Sequence, residues 1–351
     1  MSMVLPGASP SQAAAPADGA QLPPSPALSV MPLSAAGYTV HALHRQDQAW
    51  LQKNCYVDVW IETLHALGLQ PEAMLGFTVA LSFEGDQWTF FKPPHRDLSD
   101  LYGLEVEELN LWRGNLVDHA QHHLAEGKLV IAEADAFWMP DTAGTDYHQQ
   151  HTKSTIVINA LDVAQRKLGY FHNHGYFELS GDDFTHLLRH GYEADAGYMP
   201  FFAEFVRLDR LRRPPQKELV ATSTRLLRSH LARMRTENPI RRFSGQFPKD
   251  VAWLQSEGLP LYHRYAFATL RQLGANFELA ANYLGWLTLH GEAGLEDAQA
   301  AFQDIAGGTK ALLLKTARAV NTKRPVQFQE LLDDIARAWD TGTDILRCRY
   351  C

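Results

Sequence analysis

The chain has 351 residues, 46% of them hydrophobic and 21% charged, which is enough apolar material for one or two packed domains and excludes global disorder. A formal net charge of -8 argues against nucleic acid or an anionic membrane surface as principal partner, and no apolar run reaches membrane-spanning length. Three cysteines, Cys55, Cys348 and Cys351, are too few for a disulfide scaffold and fit a reducing, cytoplasmic setting.

Residues 1–36 carry no Lys or Arg and one acid, Asp18, and proline interrupts them repeatedly. A secretory signal needs a basic start and an unbroken apolar stretch, so this segment reads as a disordered leader. Ordered structure is expected from about Tyr38. Val57, Trp60, Ile61, Leu64 and Leu67 recur at helical spacing, with Asn54 as cap, Cys55 as first helical residue and Gly68 as stop. Asp58, one turn on, is placed to pin the helix start. Phe77–Phe91 reads as extended, Leu98–Gly127 as helical and Leu129–Ala132 as a short buried strand.

Ser154–Asn159, Lys167–Phe171 and Tyr176–Leu179 are strand-like, and the polar stretch Asp162–Arg166 makes the first two an antiparallel hairpin. After Pro214-Pro215 the pattern turns helical, over Lys217–Arg235, Pro260–Leu289, Leu295–Ala319 and Gln327–Arg347. Gly307-Gly308 reads as a helix break and Cys348–Cys351 as a flexible tail. His122, His123, His186 and His190 read as surface histidines, and no metal site is expected. The layout is an α+β domain over 37–213 followed by an all-helical region over 214–351.

A cysteine at a capped helix start faces unpaired backbone N–H groups and the positive end of the helix dipole. Both favour the thiolate, and the same N–H groups can receive a developing oxyanion. A thiolate nucleophile needs an imidazole to carry its proton and a third group to orient that ring. His151 enters the strand Ser154–Asn159 and Asn173 ends the returning strand, so the hairpin brings the two together. The sequence thus names Cys55 as nucleophile, His151 as base, with His148 as rival, and Asn173 as orienting residue. Gln48, Gln52 and Asn54 are candidates for the oxyanion hole. Asp135, at a strand end before the aromatic segment Phe137–Pro140 with Trp138, is a candidate to hold a substrate ammonium; Glu84, and Trp88 in the same aromatic stretch, are further substrate-binding candidates.

Five segments, Asn54–Gly68, Phe83–Pro94, Asp135–Thr142, His151–Ile156 and Gly169–Asn173, resemble a family of bacterial proteins of unassigned function. More distantly the pattern is similar to the butirosin-pathway acyltransferases and to double-glycine-leader peptidases. That resemblance implies a papain-like cysteine protease fold. It also implies transfer of an acyl or aminoacyl group from a carrier-protein phosphopantetheine thioester, through Cys55, to an amine, with no bound cofactor. The order Cys55, His151, Asn173 follows the papain plan. Between Glu204 and Gly245 the chain carries eleven Lys or Arg against four acids. Arg207, Arg210, Arg212 and Arg213 open this stretch and would dock an acidic carrier protein. A hydrolase of the same fold (peptidase, amidase or thioesterase) and a non-catalytic binding protein are the alternatives.

Overall fold

The structure, a computed structural model, describes residues 27–45, 47–111, 115–192 and 202–351. Seven strands make one sheet: β1 (Leu28–Ser29), β4 (Glu105–Leu109), β5 (Leu129–Asp135), β6 (Lys153–Asp162), β7 (Lys167–His172), β8 (Gly175–Ser180) and β9 (Ala203–Arg207). Its order is β4-β9-β5-β6-β7-β8, every pairing is antiparallel, and β1 adds to the far end of β6. β2 (Phe83–Glu84) and β3 (Gln87–Trp88) form a separate small hairpin.

Alternation along the central strands sorts their side chains between two cores. Val130, Ala132, Ala134, Ile156, Ile158 and Tyr170 face α3 (Leu116–Ala125) and α4 (Asp182–Leu187). Leu129, Ile131, Val157 and Phe171 face α1 (Cys55–Ala66). The same second core runs on without interruption into the C-terminal helices. These are α5 (Gln216–Arg233), α6 (Pro239–Glu257), α7 (Leu259–Ala268), α8 (Leu270–Leu289), α9 (Glu296–Thr322) and α10 (Gln329–Tyr350). The two halves share one interior, in an α+β arrangement with a helical C-terminal region. Among the described residues no helix is long and apolar enough to cross a membrane.

The expected hairpin is present, with its turn at 163–166. Other expectations are corrected. Residues 28–30 already belong to the fold, since Leu28 pairs with Leu161 and the Val30 N–H donates to Asn159, so order begins before Tyr38; residues 1–26 lie outside the described residues. The helix expected over Leu98–Gly127 is divided into α2 (His95–Tyr102), β4 and α3, because Gly103 ends α2 at a left-handed φ of 70°. Phe77–Phe91 is only partly extended: residues Pro71–Ala80 wind as a 3-10 helix before the small hairpin. α6 escapes the periodicity reading because Gly245 and Pro248 interrupt it, although Asn238 and Pro239 supply a regular start.

Gly307-Gly308 breaks nothing and lies inside α9, while the C-terminal cysteine segment is helical to Tyr350. The small residues allow close approach instead. A Cβ on Gly308 would stand 2.8 Å from Ile335, on α10. One on Gly274, in α8, would stand 2.3 Å from the Trp50 ring, which packs in the loop just before Cys55. Gly307, by contrast, has no atom within 4 Å of such a Cβ.

Two substitutions separate these roles. Gly307→Ala should stabilise the protein by about 0.5–1 kcal/mol through helix propensity. Gly274→Ala should destabilise it by about 1–3 kcal/mol through overpacking against Trp50. Denaturant titration of both variants measures the difference; equal effects would refute the packing assignment.

Candidate active site

Loop residues 49–54 deliver the chain to α1, and buried ion pairs fix that delivery. Lys53 is fully buried and its ammonium meets Glu278 of α8 at 2.9 Å. Glu278 also accepts the backbone N–H groups of Ala49 and Trp50, at 2.6 and 3.2 Å. Asn54 caps α1 by accepting the Val57 N–H at 2.9 Å, and its amide donates to the Phe91 carbonyl.

Behind this turn the His44 ring is clamped between two carboxylates of α1, Asp58 at 3.0 Å and Glu62, all three side chains fully buried. Asp58 also accepts the Lys53 N–H at 2.9 Å, as expected of a residue pinning the helix start. Burial alone pushes His44 towards neutrality, but the hydrogen bonds and charges of Asp58 and Glu62 overcome it and raise the imidazole above its ordinary value. Burial likewise pushes Glu62 up, and His44 brings it below the usual carboxylate range.

Cys55 sits at the first position of α1 and opens on a cleft of about 330 Å³. The walls are the loop before α1 (Gln52, Asn54), the β5–β6 connection (Ala136–Ser154 in part), the β7–β8 turn (His172, Asn173, His174) and the helical half (Phe267, Arg271, Gln272). The Cys55 sulfur lies 3.5 Å from the Thr155 hydroxyl on β6. The expectation of a depressed thiol pKa is corrected. Burial raises it, and the Asp58 charge adds to the rise; the Thr155 hydroxyl, Lys153 and the Tyr56 backbone only partly offset this. The resting sulfur is a neutral thiol.

The structure also changes the histidine assignment. His151 stands with its side chain 69% exposed, donating to Asp135 at 2.6 Å and stacked on Phe137 at 4.4 Å, and it does not line the cleft. The rival, His148, leans on Tyr147 and Asp183 and is not a cleft residue either. The cleft imidazoles are His172 and His174, on either side of Asn173, whose φ of 44° makes the turn. His172 is buried; its Nδ1 donates to Asp141 Oδ2 at 2.6 Å, which leaves Nε2 to accept the Ser154 hydroxyl at 2.6 Å. Tyr170 donates to the other oxygen of Asp141. Ser154, His172 and Asp141 therefore form a hydroxyl–imidazole–carboxylate chain inside the same cleft. The Asn173 amide nitrogen lies 3.5 Å from His172 Nδ1, so Asn173 neighbours His172 rather than His151.

His174 has a buried Nδ1 with no hydrogen-bond partner among the described residues, and Gln272, also buried, has its Oε1 in the same condition. Burial lowers the His174 pKa, and the charge of His44 lowers it further, so this ring is neutral at pH 7. Both unpartnered atoms belong to cleft-lining residues. Sequence reasoning missed His172, His174, Ser154, Asp141, Arg271 and Gln272. The available signal was the four-residue link His172–Gly175 between the strand-like stretches Lys167–Phe171 and Tyr176–Leu179, which is short enough for a tight turn and carries a histidine on each flank of an asparagine.

The remaining candidates fall elsewhere. Gln52 and Asn54 line the cleft, whereas Gln48 accepts from Asn282. Trp88 is buried against Phe83 and Phe243, Trp138 stacks on His186 at 4.1 Å, and Glu84 pairs with Arg235 at 2.7 Å; none of them lines the cleft, nor does Asp135. Arg207 pairs with Glu105, Glu107 and Asp209, Arg210 with Glu105, and Arg212 with Glu218, while Arg213 donates to the Leu67 carbonyl. Much of the apparent positive charge is thus matched within the molecule. His123 is buried and stacked on Phe205 rather than exposed, and with His122 and Glu126 it brings three ligand-type atoms within 4.8 Å on α3.

The buried clamp gives a pH signature. A raised His44 contributes stability in full below the ordinary imidazole pKa and loses it as pH rises through the folded value; a lowered Glu62 contributes above the ordinary carboxylate pKa and loses it as pH falls. The combined contribution peaks between about pH 4.5 and 6.5. His44→Ala should cost about 3–5 kcal/mol there, since it strands two buried carboxylates, and less at pH 9. Chemical denaturation across pH checks this; a penalty independent of pH would contradict a charged His44.

Residues 39–208 match the DUF1839 N-terminal domain and residues 216–348 the DUF1839 C-terminal domain. No curated protein matches the chain. With most of its length covered by the two matches, the chain belongs to the DUF1839 family.

Proposed function

We propose that the chain is a papain-like enzyme that moves an acyl or aminoacyl group from a carrier-protein phosphopantetheine thioester to an amine, through an acyl-enzyme on Cys55. The observation that carries this reading is the position of Cys55. It starts an Asn54-capped helix, faces a cleft, and shares that cleft with two imidazoles, one of them backed by a buried carboxylate.

The chemistry follows from those positions. The neutral thiol gives its proton to an imidazole of the cleft wall, a role we assign to His174, which is neutral, whereas His172 is already engaged by Ser154 and Asp141. Sulfur attacks the thioester carbonyl, the carbon–sulfur bond of the donor breaks, and the leaving thiolate takes the proton from the imidazolium. The amine then attacks the Cys55 thioester; the same imidazole accepts its proton and returns it to the departing sulfur. Backbone N–H groups at the first turn of α1 face the developing oxyanion, and the Gln52 side chain is the available amide. Exchanging thiolate for thiolate makes the first step nearly neutral in energy, so a raised resting pKa is no obstacle when the leaving sulfur is of the same kind. His151 and Asp135, paired with each other outside the cleft, are assigned no proton transfer in this scheme. Three unpaired cysteines suit a cytoplasmic setting for such a thiol.

A second reading rests on Ser154. Its hydroxyl already donates to His172, and His172 to Asp141, which is the relay of a serine hydrolase. Intact-mass spectrometry after incubation with an acyl-pantetheine thioester separates the two. Acylation is expected in the wild type and in Ser154→Ala, with loss in Cys55→Ala of at least about 10³-fold in rate. An adduct retained by Cys55→Ala and lost by Ser154→Ala would transfer the nucleophile's role to Ser154. No adduct in any variant would refute the enzymatic reading. Adding an amine to the acylated protein should release the amide; release of the free acid alone would make the protein a hydrolase.

A further inference from the structure

A second hollow, also about 330 Å³, adjoins the Cys55 cleft and shares Gln52, His174 and Arg271 with it. Its other walls are Ala49, Trp50, Leu51 and Lys310, so among the described residues it is lined by two cations and no acid. Arg271 reaches it from α8. Its Nε and one Nη donate at 3.0 Å to the carbonyl and side chain of Gln52, its guanidinium lies over the Phe267 ring at 4.5 Å, and no carboxylate among the described residues is paired with it. Lys310 reaches it from α9, donating to the Ala49 carbonyl at 3.0 Å with its ammonium over the Trp50 ring at 4.7 Å. Glu278, which holds the backbone of Ala49 and Trp50, is itself paired with Lys53.

Holding a guanidinium out of water without an acid partner is unfavourable. Burial lowers the Arg271 pKa, and the field of Asp58 works against that lowering. A largely buried guanidinium and an exposed ammonium on one hollow, one shared wall from a reactive sulfur, are matched by an oxyanion on the ligand; a guanidinium fork and a point-charge ammonium together suit phosphate or carboxylate. We propose that Arg271 and Lys310 form an anion subsite, taking a phosphate or carboxylate on the arm of the ligand whose reactive carbonyl lies at Cys55. The identity of that ligand as a thioester donor rests on the function proposed above, whereas the anion subsite does not.

Calorimetric titration of the Cys55→Ala protein, which cannot be acylated at residue 55, tests the subsite without turnover. The probes are 4′-phosphopantetheine against pantetheine, and S-succinyl- against S-butyryl-N-acetylcysteamine. One member of at least one pair should bind about 10-fold or more tightly for its added charge, the worth of a charge-assisted hydrogen bond. That preference should fall with salt, vanish in Arg271→Gln and shrink in Lys310→Gln, with melting temperatures showing both variants folded. Preference for phosphopantetheine puts the anion on the donor arm; preference for the succinyl thioester puts it on the acyl group. Equal affinity within both pairs, or a preference that survives Arg271→Gln, overturns the subsite. Acylation of wild-type Cys55 by the neutral thioesters reports on the proposed function separately, so the two can fail independently.

Discussion

The Asp58 carboxylate is the joint of the molecule. It is fully buried, holds His44 from one side and receives the Lys53 N–H from the other, so the turn that carries Cys55 into the cleft cannot move without stranding a charge. Its field extends further. It raises the Cys55 thiol, opposes the burial penalty on Arg271 and works against the lowering of His174. One side chain thereby holds the first turn of α1 and adds its charge to the burial that dominates the electrostatics of what faces it.

The C-terminal helices are part of the site. Glu278 of α8 neutralises Lys53 and holds the backbone at Ala49 and Trp50, and the Trp50 ring rests where only Gly274 leaves room for it. The same helix sends Arg271 and Gln272 into the cleft, and α7 sends Phe267. A continuous apolar core joins the halves. The helical region therefore both braces the loop before the cysteine and supplies the cation and the orphaned acceptor that a ligand would meet. The basic residues between Glu204 and Gly245, prominent in the sequence, are largely occupied by acids from other elements, such as Glu105, Asp100, Glu84 and Asp340.

What could be read from the sequence was local. The Asn54 cap, Cys55 at the first helical position, the pinning role of Asp58 and the β6–β7 hairpin each depend on neighbours in the chain, and each is present. What could not be read depends on which residues meet across the sheet. His151 precedes β6 on the strand that touches Cys55, but its ring turns outward to Asp135 and Phe137. The link after β7 instead carries His172 and His174 to the cleft, with Asn173 taking the left-handed backbone that Asn tolerates. Register decides the rest: His172 stands opposite Ile156, on the Ser154 face of β6, whereas Thr155 and Cys55 meet across the other face. The broken helix at Gly103 and the intact one through Gly307-Gly308 make the same point, since what a glycine does depends on whether the chain must turn there or another helix must come close.

The account turns on a sulfur that is held in place but kept neutral until a ligand arrives. Its most direct test is the rate of alkylation of Cys55 by iodoacetamide across pH 5–10, followed by peptide mass spectrometry, with exposed Cys348 and Cys351 in the same molecule as references. The account predicts that Cys55 is modified more slowly than either reference at neutral pH and that its rate is still climbing in the alkaline range. A fast reaction of Cys55 that is already at its plateau below pH 7 would contradict it, for the sulfur would then be a resting thiolate, and burial with the added charge of Asp58 would not govern it.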